Sequence, residues 1–149
     1  MEPANLKPTC GASMAALERG VVAVEFALIL PLLLMLTLGM VDVSLMLYDQ
    51  TILTNASREG ARAGIVLRAP KLSVAEIQAV ALSYSENSLM SLGAAARPVV
   101  TVDQSPDPVF STPLSVTVTY SYSGFGMVGL LTTLTGPVQL TATAVMKNE

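Results

Sequence analysis

Histidine and tryptophan are absent from the 149 residues, and cysteine occurs once, at Cys10. Those absences exclude imidazole catalysis, the usual His/Cys zinc sites and an intrachain disulfide, and most familiar enzyme mechanisms go with them. Charge is scarce too: 13% of the residues are Asp, Glu, Lys or Arg, about half the roughly 25% of an ordinary soluble domain. With 52% hydrophobic residues and a net charge of -3, neither a disordered chain nor a nucleic-acid-binding one fits. What remains is apolar sequence, long enough for one domain or for a membrane anchor with a small domain attached.

The apolar residues concentrate at 21–41, VVAVEFALILPLLLMLTLGMV, where Glu25 is the one charged side chain. As a helix at about 1.5 Å per residue this run measures about 31 Å, close to the roughly 30 Å hydrocarbon thickness of a bilayer. A secretory signal has a shorter apolar core of roughly 7–15 residues and a more basic start. Here Lys7 and Arg19 are offset by Glu2 and Glu18. Lipoprotein acylation does not fit, because Cys10 precedes the apolar run. Flanking charge leaves orientation nearly tied, with Lys7 and Arg19 before the run and Arg58 and Arg62 after it. The first 20 residues show no turn or strand pattern, so they are placed in the cytoplasm and the remainder outside.

Glu25 is the anomaly, since a carboxylate at the bilayer centre costs about 2.5–3.5 kcal/mol, and less near the edge. Either it reaches the headgroups or it has a partner. Its context is Glu18-Arg19-Gly20 followed by VVAVEF, so that Glu25 is the fifth residue after a glycine. In this the sequence resembles a type IV prepilin, with a short charged leader ending in Gly and a hydrophobic helix with Glu at its fifth position. The next stretch narrows the resemblance. Glu25-Phe26-Ala27, Pro31, a Leu-rich run, Asp42 at its exit, and Ala56-Ser57-Arg58-Glu59-Gly60-Ala61-Arg62-Ala63-Gly64 look like the TadE-like segment of the tight-adherence, or Flp, pilus machinery. Phe26 stands where the related major Flp pilins tend to have Tyr, which favours a minor pseudopilin.

The resemblance implies cleavage between Gly20 and Val21 by a prepilin peptidase. It also implies that Glu25 sets register between subunits. The physics is coherent: cleavage creates an ammonium at Val21, and a neighbouring subunit's ammonium can neutralise Glu25 in lipid or in a filament core. Glycine at position 20 offers a protease a backbone without a side chain to clash. Pro31 removes the hydrogen bond to the Ala27 carbonyl and should kink the helix, either as a tolerated membrane proline or as a loosening that lets the helix leave the bilayer.

Beyond Asp42 the helical spacing continues through Leu45, Tyr48, Ile52 and Ala56. Ala56, Gly60 and Gly64 recur every fourth residue, forming a flat ridge for close backbone approach. The plainer reading is packing against the protein's own sheet; the other is a seam between subunits. Arg58, Glu59 and Arg62 read as a solvated face. Ala69-Pro70-Lys71 breaks the helix, and Ser73 with Glu76 forms a capping box that starts a second one. The apolar face of this second helix is Val74, Ile77, Val80, Ala81 and Tyr84, and Gly93 marks its end.

From Val99 the period changes to alternation. VVTVD, then LSVTVTYSY from Leu114, then VQLTATAVMK from Val138 read as three antiparallel strands. In the second, Leu114, Val116, Val118, Tyr120 and Tyr122 share one face. The loop 123–137 contains Phe125, Met127, Val128, Leu130 and Leu131, which suits a short helix lying on the sheet or a contact site for another pilus component.

The sequence thus predicts an α+β, pilin-like fold: a leader over 1–20, a transmembrane helix over 21–47 that extends into an amphipathic helix, and an exported head over 48–149 with a short helix and a three-stranded antiparallel sheet. No nucleophile–base pair, metal-ligand spacing or phosphate loop is found, so no enzymatic activity, metal or cofactor is expected. The resemblance implies a structural role in assembling a tight-adherence pilus. The implied partners are a prepilin peptidase, other pilins and pseudopilins, the inner-membrane assembly platform and membrane lipid, with no nucleic acid. It implies a single-pass protein of the bacterial inner membrane with a periplasmic head, which can also enter a surface pilus. The rival reading is a permanently anchored protein whose exported head binds a partner or ligand.

Overall fold

A computed structural model of the chain describes residues 10–90, 96–105, 111–124 and 127–148. Helix α1 spans Cys10–Ile65, α2 Val74–Glu86 and α3 Met127–Thr135; strands β1, β2 and β3 span Val99–Gln104, Pro113–Tyr122 and Val138–Lys147. The fold is α+β, as the change of period predicts. The chain divides into two compact units, Met1–Thr37 and Leu38–Glu149.

The described part of the first unit is residues 10–37 of α1. Between Val21 and Thr37 its Val, Leu, Ile and Phe side chains are exposed except for the half-buried Leu30, and the helix runs through Pro31. One helix among the described residues is long and apolar enough to cross a membrane. It lies within Gly20–Ile65, its most apolar 18-residue window has a mean hydropathy of 2.6, and none of that window is buried. Thr37 does not spoil this surface, because its hydroxyl donates to the Leu33 and Leu34 carbonyls at 3.0 and 2.9 Å, so it needs no water.

In the second unit the three strands form one antiparallel sheet in the order β1-β2-β3. Val118 of the central strand faces Val100 on one side and Ala142 on the other. Alternation places Leu114, Val116, Val118, Tyr120 and Tyr122 in the core, as the sequence predicts, together with Val100, Leu140, Ala142 and Ala144. The opposite face is polar, with the Thr117 and Thr143 hydroxyls 2.9 Å apart. Each outer strand has a carbonyl taken by a helix glutamine: Gln78 donates to Val100 O at 3.1 Å and Gln50 to Thr141 O at 3.0 Å. Such contacts protect free sheet edges from pairing with another chain.

The capping box forms as read. Glu76 N–H donates to Ser73 Oγ at 3.4 Å, and Ser73 N–H donates back to the Glu76 carboxylate at 2.7 Å. Three readings of the helices need correction. Helix α2 stops at Glu86, with Asn87 as its C-cap; Gly93 lies outside the described residues. The Ser85 hydroxyl, turned onto the Ala81 and Leu82 carbonyls at 3.1 Å, occupies the last buried position. That face is Ile77, Ala81 and Ser85, while Val74 and Tyr84 are exposed. In α1 the buried stripe runs through Asp42, Asp49, Leu53, Ala56, Ser57, Gly60 and Ala61 instead of through Tyr48, which is 42% exposed. The loop 123–137 does contain a helix, α3, but Leu130, Leu131 and Leu134 point away from the core.

The far end of β2 is fastened by Asn148, which is buried. Its side-chain amide nitrogen donates to Thr112 O and Oγ1 at 3.1 and 2.6 Å, and its side-chain Oδ1 accepts from Lys71 Nζ at 3.1 Å.

Candidate functional site

The residues singled out by sequence fall into two groups, one in each compact unit. Gly20, Val21 and Glu25 lie on the exposed surface of α1. Nothing lies within 4 Å of where a Gly20 Cβ would stand. Val21 and Glu25 are one helical turn apart and therefore neighbours on one face. Gly20 is helical here and not extended, so a protease that binds extended backbone must unwind this turn. Glycine lowers that cost, since it is about 1 kcal/mol poorer than Ala as a helix former.

The second group, the Arg58–Gly64 block, splits by helical angle. Arg58, Glu59 and Arg62 face solvent, whereas Gly60 and Gly64 are buried. A Cβ on Gly60 would stand 3.1 Å from Ala81 Cβ and 3.3 Å from Val116 Cγ1. On Gly64 it would meet Leu114 Cδ2 and lie 2.8 Å from Ile77 Cδ1. The two glycines thus let α1 approach both α2 and β2, and this ridge packs against the protein's own sheet.

A third group joins Asp42, which the sequence marks only as the acidic residue at the exit of the apolar run, to Asp49, which it does not mark. Asp49 is fully buried and Asp42 nearly so. Asp49 Oδ1 accepts the Met90 N–H at 2.9 Å, and Oδ2 is buried without a hydrogen-bond partner among the described residues. The Tyr122 hydroxyl donates to the Asp42 backbone carbonyl at 3.3 Å. Burial pushes the Asp49 carboxyl above its ordinary range, only partly opposed by the Met90 N–H. Burial also raises Tyr122, with smaller contributions from the charges of Asp42 and Asp49 and from Tyr120. The available signal was spacing: Asp42 and Asp49 are seven residues apart, two turns on one face, and are the only Asp, Glu, Lys or Arg in residues 26–57.

The sign of the pH effect follows. Because folding raises the Asp49 pKa, this group's contribution to stability is complete below the ordinary Asp pKa of about 3.9 and is lost as pH rises through the folded value. Asp49→Asn keeps an acceptor for Met90 and cannot ionise. The variant is therefore expected to gain stability relative to wild type as pH increases from about 4 toward neutrality. Glu76, held below its usual range chiefly by the Ser73 N–H, works with the opposite sign in both proteins and cancels in the comparison. Denaturation midpoints of the full-length protein in detergent, measured across pH, check this. A constant difference between the two proteins contradicts it.

Among the described residues no group of three or more Cys, Asp or Glu side chains gathers to hold a metal ion. An open groove of about 330 Å³ between α3 and the sheet is lined by Ala96, Ser121, Ser123, Thr132, Thr133 and Pro137, with no ionisable group for acid–base work.

The apolar part of α1 is long enough to cross a membrane. The family described as TadE-like protein matches residues 20–62. No curated protein matches the chain, and no solved structure does. Residues 20–62 are thus a TadE-like segment. The match begins at Gly20, includes Glu25, Pro31 and the Arg58–Arg62 block, and associates the chain with the tight-adherence pilus, a structural assembly.

Proposed function

We propose that the protein is a minor pseudopilin of a tight-adherence pilus, processed after Gly20 by a prepilin peptidase. The observation that carries this is the coincidence of three features at one place. The TadE-like segment starts at Gly20, Glu25 follows at the fifth position, and both lie on an exposed apolar helix. The leader is 1–20, the membrane-spanning part of α1 is 21–47, and the head is 48–149, exported to the periplasm. Assembly replaces lipid around α1 by the α1 helices of neighbouring subunits. The ammonium created at Val21 then pairs with the Glu25 carboxylate of a neighbour. Leaving either charge unpaired in an apolar filament core is costly, so the pair selects one axial register. Pro31 loosens one turn of the helix for this transfer. Other pilins, pseudopilins and the inner-membrane assembly platform are the partners.

The mature amino terminus tests the proposal. In cells that contain the peptidase, intact mass and N-terminal sequencing are expected to give a chain starting at Val21, and Gly20→Leu is expected to retain the leader. A reporter fused after Glu149 is expected to behave as exported. If wild type keeps residues 1–20 in such cells, the protein is instead a permanent anchor for its head.

A further inference from the structure

Residues 108–146 contain no Asp, Glu, Lys or Arg, and in the middle of this uncharged stretch lies α3. Its outward face carries Leu130, Leu131 and Leu134, which are 60%, 55% and 81% exposed. Val128, on another side, packs against the core. Three leucines this exposed on a nine-residue helix make an apolar patch of the kind that marks a contact.

The position of α3 says what covers it. It joins the end of β2 to the start of β3, where Tyr122 pairs with Val138, and the Tyr122 hydroxyl is bonded to Asp42 of α1. Helix α3 is therefore at the end of the sheet where α1 enters the head, opposite the end fastened by Asn148. Around the same level α1 exposes Met40, Val41, Val43 and Leu47. Its two acidic residues there, Asp42 and Asp49, are buried, so α1 exposes no charged side chain from 38 to 57. The polar atoms of α3 are also prepared for a low-dielectric setting. Thr132, Thr133 and Thr135 donate their hydroxyls to the Gly129, Leu130 and Leu131 carbonyls at 2.9, 2.6 and 3.0 Å, so little is lost when water leaves.

We infer that α3 is an interfacial helix that lies in the bilayer surface beside the exit of α1, with Leu130, Leu131 and Leu134 in the headgroup–acyl boundary. The inference rests on the reading of α1 as a membrane span. It gives the head two attachments to the membrane, one along α1 and one flat against the surface, which together hold the sheet at a set height and rotation before assembly. The contact is with lipid of any headgroup, because no charge on α3 selects one.

Full-length protein with Cys10→Ser, reconstituted into phosphatidylethanolamine–phosphatidylglycerol vesicles, tests this. Single fluorescent labels are placed through Leu134→Cys, through Thr143→Cys on the exposed sheet face, and through Leu32→Cys in the span. The expected result is quenching by nitroxide lipid about twofold or more stronger at 134 than at 143, with 32 deepest. If 134 is instead open to aqueous iodide like 143 while 32 remains lipid-quenched, the interfacial helix is wrong and the span stands. Shielding of 134 from both quenchers means a second protein copy covers it and also overturns the inference. Iodide access at 32 overturns the span and the inference with it.

Discussion

Gly64→Val is expected to destabilise the head by about 2–3 kcal/mol, the upper part of the roughly 1–3 kcal/mol usual for forcing extra methyl groups into a closed core. The reason is geometric. A single Cβ at position 64 already meets Leu114 Cδ2 and the Ile77 side chain, and both residues are fully buried, so neither has a free rotamer to move into. Valine adds two more carbons at the same place. Removing a glycine from a helix returns only about 1 kcal/mol at most, and less for β-branched valine. Gly60→Ala is the matched control. Its new Cβ meets Ala81 and Val116 at tight distances of 3.1 and 3.3 Å but clashes with neither, and the helix-propensity gain of about 1 kcal/mol roughly offsets the crowding. Denaturant midpoints of the full-length protein in detergent should fall clearly for Gly64→Val and little for Gly60→Ala. Leu114→Ala combined with Gly64→Val should recover part of the loss, because the two side chains compete for one volume. Equal midpoints for wild type and Gly64→Val would show that α1 is not packed this closely on β2.

The largest functional effect is expected from Glu25→Gln, which should abolish or strongly reduce pilus assembly while leaving the protein folded and membrane-inserted. Glu25 is exposed and belongs to the first unit, whereas the buried core consists of residues of the second, so the head has no use for its charge. Insertion should if anything improve, because a carboxylate has been removed from an apolar run. Assembly is different. A neighbour's Val21 ammonium would enter the filament without its counter-charge, and breaking one side of a buried pair costs about 3–5 kcal/mol. Even half of that lowers partner affinity more than tenfold, since about 1.4 kcal/mol is one factor of ten. Co-purification of pilin partners at matched protein levels, together with a count of surface pili, measures it. Normal recovery and normal piliation would leave Glu25 a residue that merely reaches the headgroups.

Local chemistry explains why some elements were legible beforehand. The Ser73–Glu76 box needs only residues three apart, and β2 shows its core face because Leu114, Val116, Val118, Tyr120 and Tyr122 alternate with Ser and Thr. The apolar run of α1 and the motif at Gly20, Glu25 and Arg58–Gly64 are equally local. By contrast, the end of α2 was misplaced, because Asn87 supplies a stop without the glycine that usually announces one. The face of α1 was misread for a deeper reason. Hydrophobic periodicity locates a core when the other side meets water, but α1 continues directly from an apolar run and carries apolar residues on both sides. Tyr48 therefore reads as one stripe with Leu45, Ile52 and Ala56, although it alone of the four is exposed.

Composition and short-range pattern were sufficient for the long apolar helix, the α+β fold, the strands and the TadE-like segment, because each is carried by residues near one another in sequence. Burial of Asp42 and Asp49 depended on distant chain. The group that bonds Asp49 Oδ1 is Met90 N–H, and the hydroxyl at Asp42 O belongs to Tyr122, 80 residues away. Likewise, Gly60 and Gly64 read as a ridge in sequence, but which surface fills it was decided by where α2 and β2 bring Ala81, Ile77 and Leu114. An apolar helix can offer its small residues to a neighbour or to its own sheet, and the choice rests on long-range packing that no local pattern encodes.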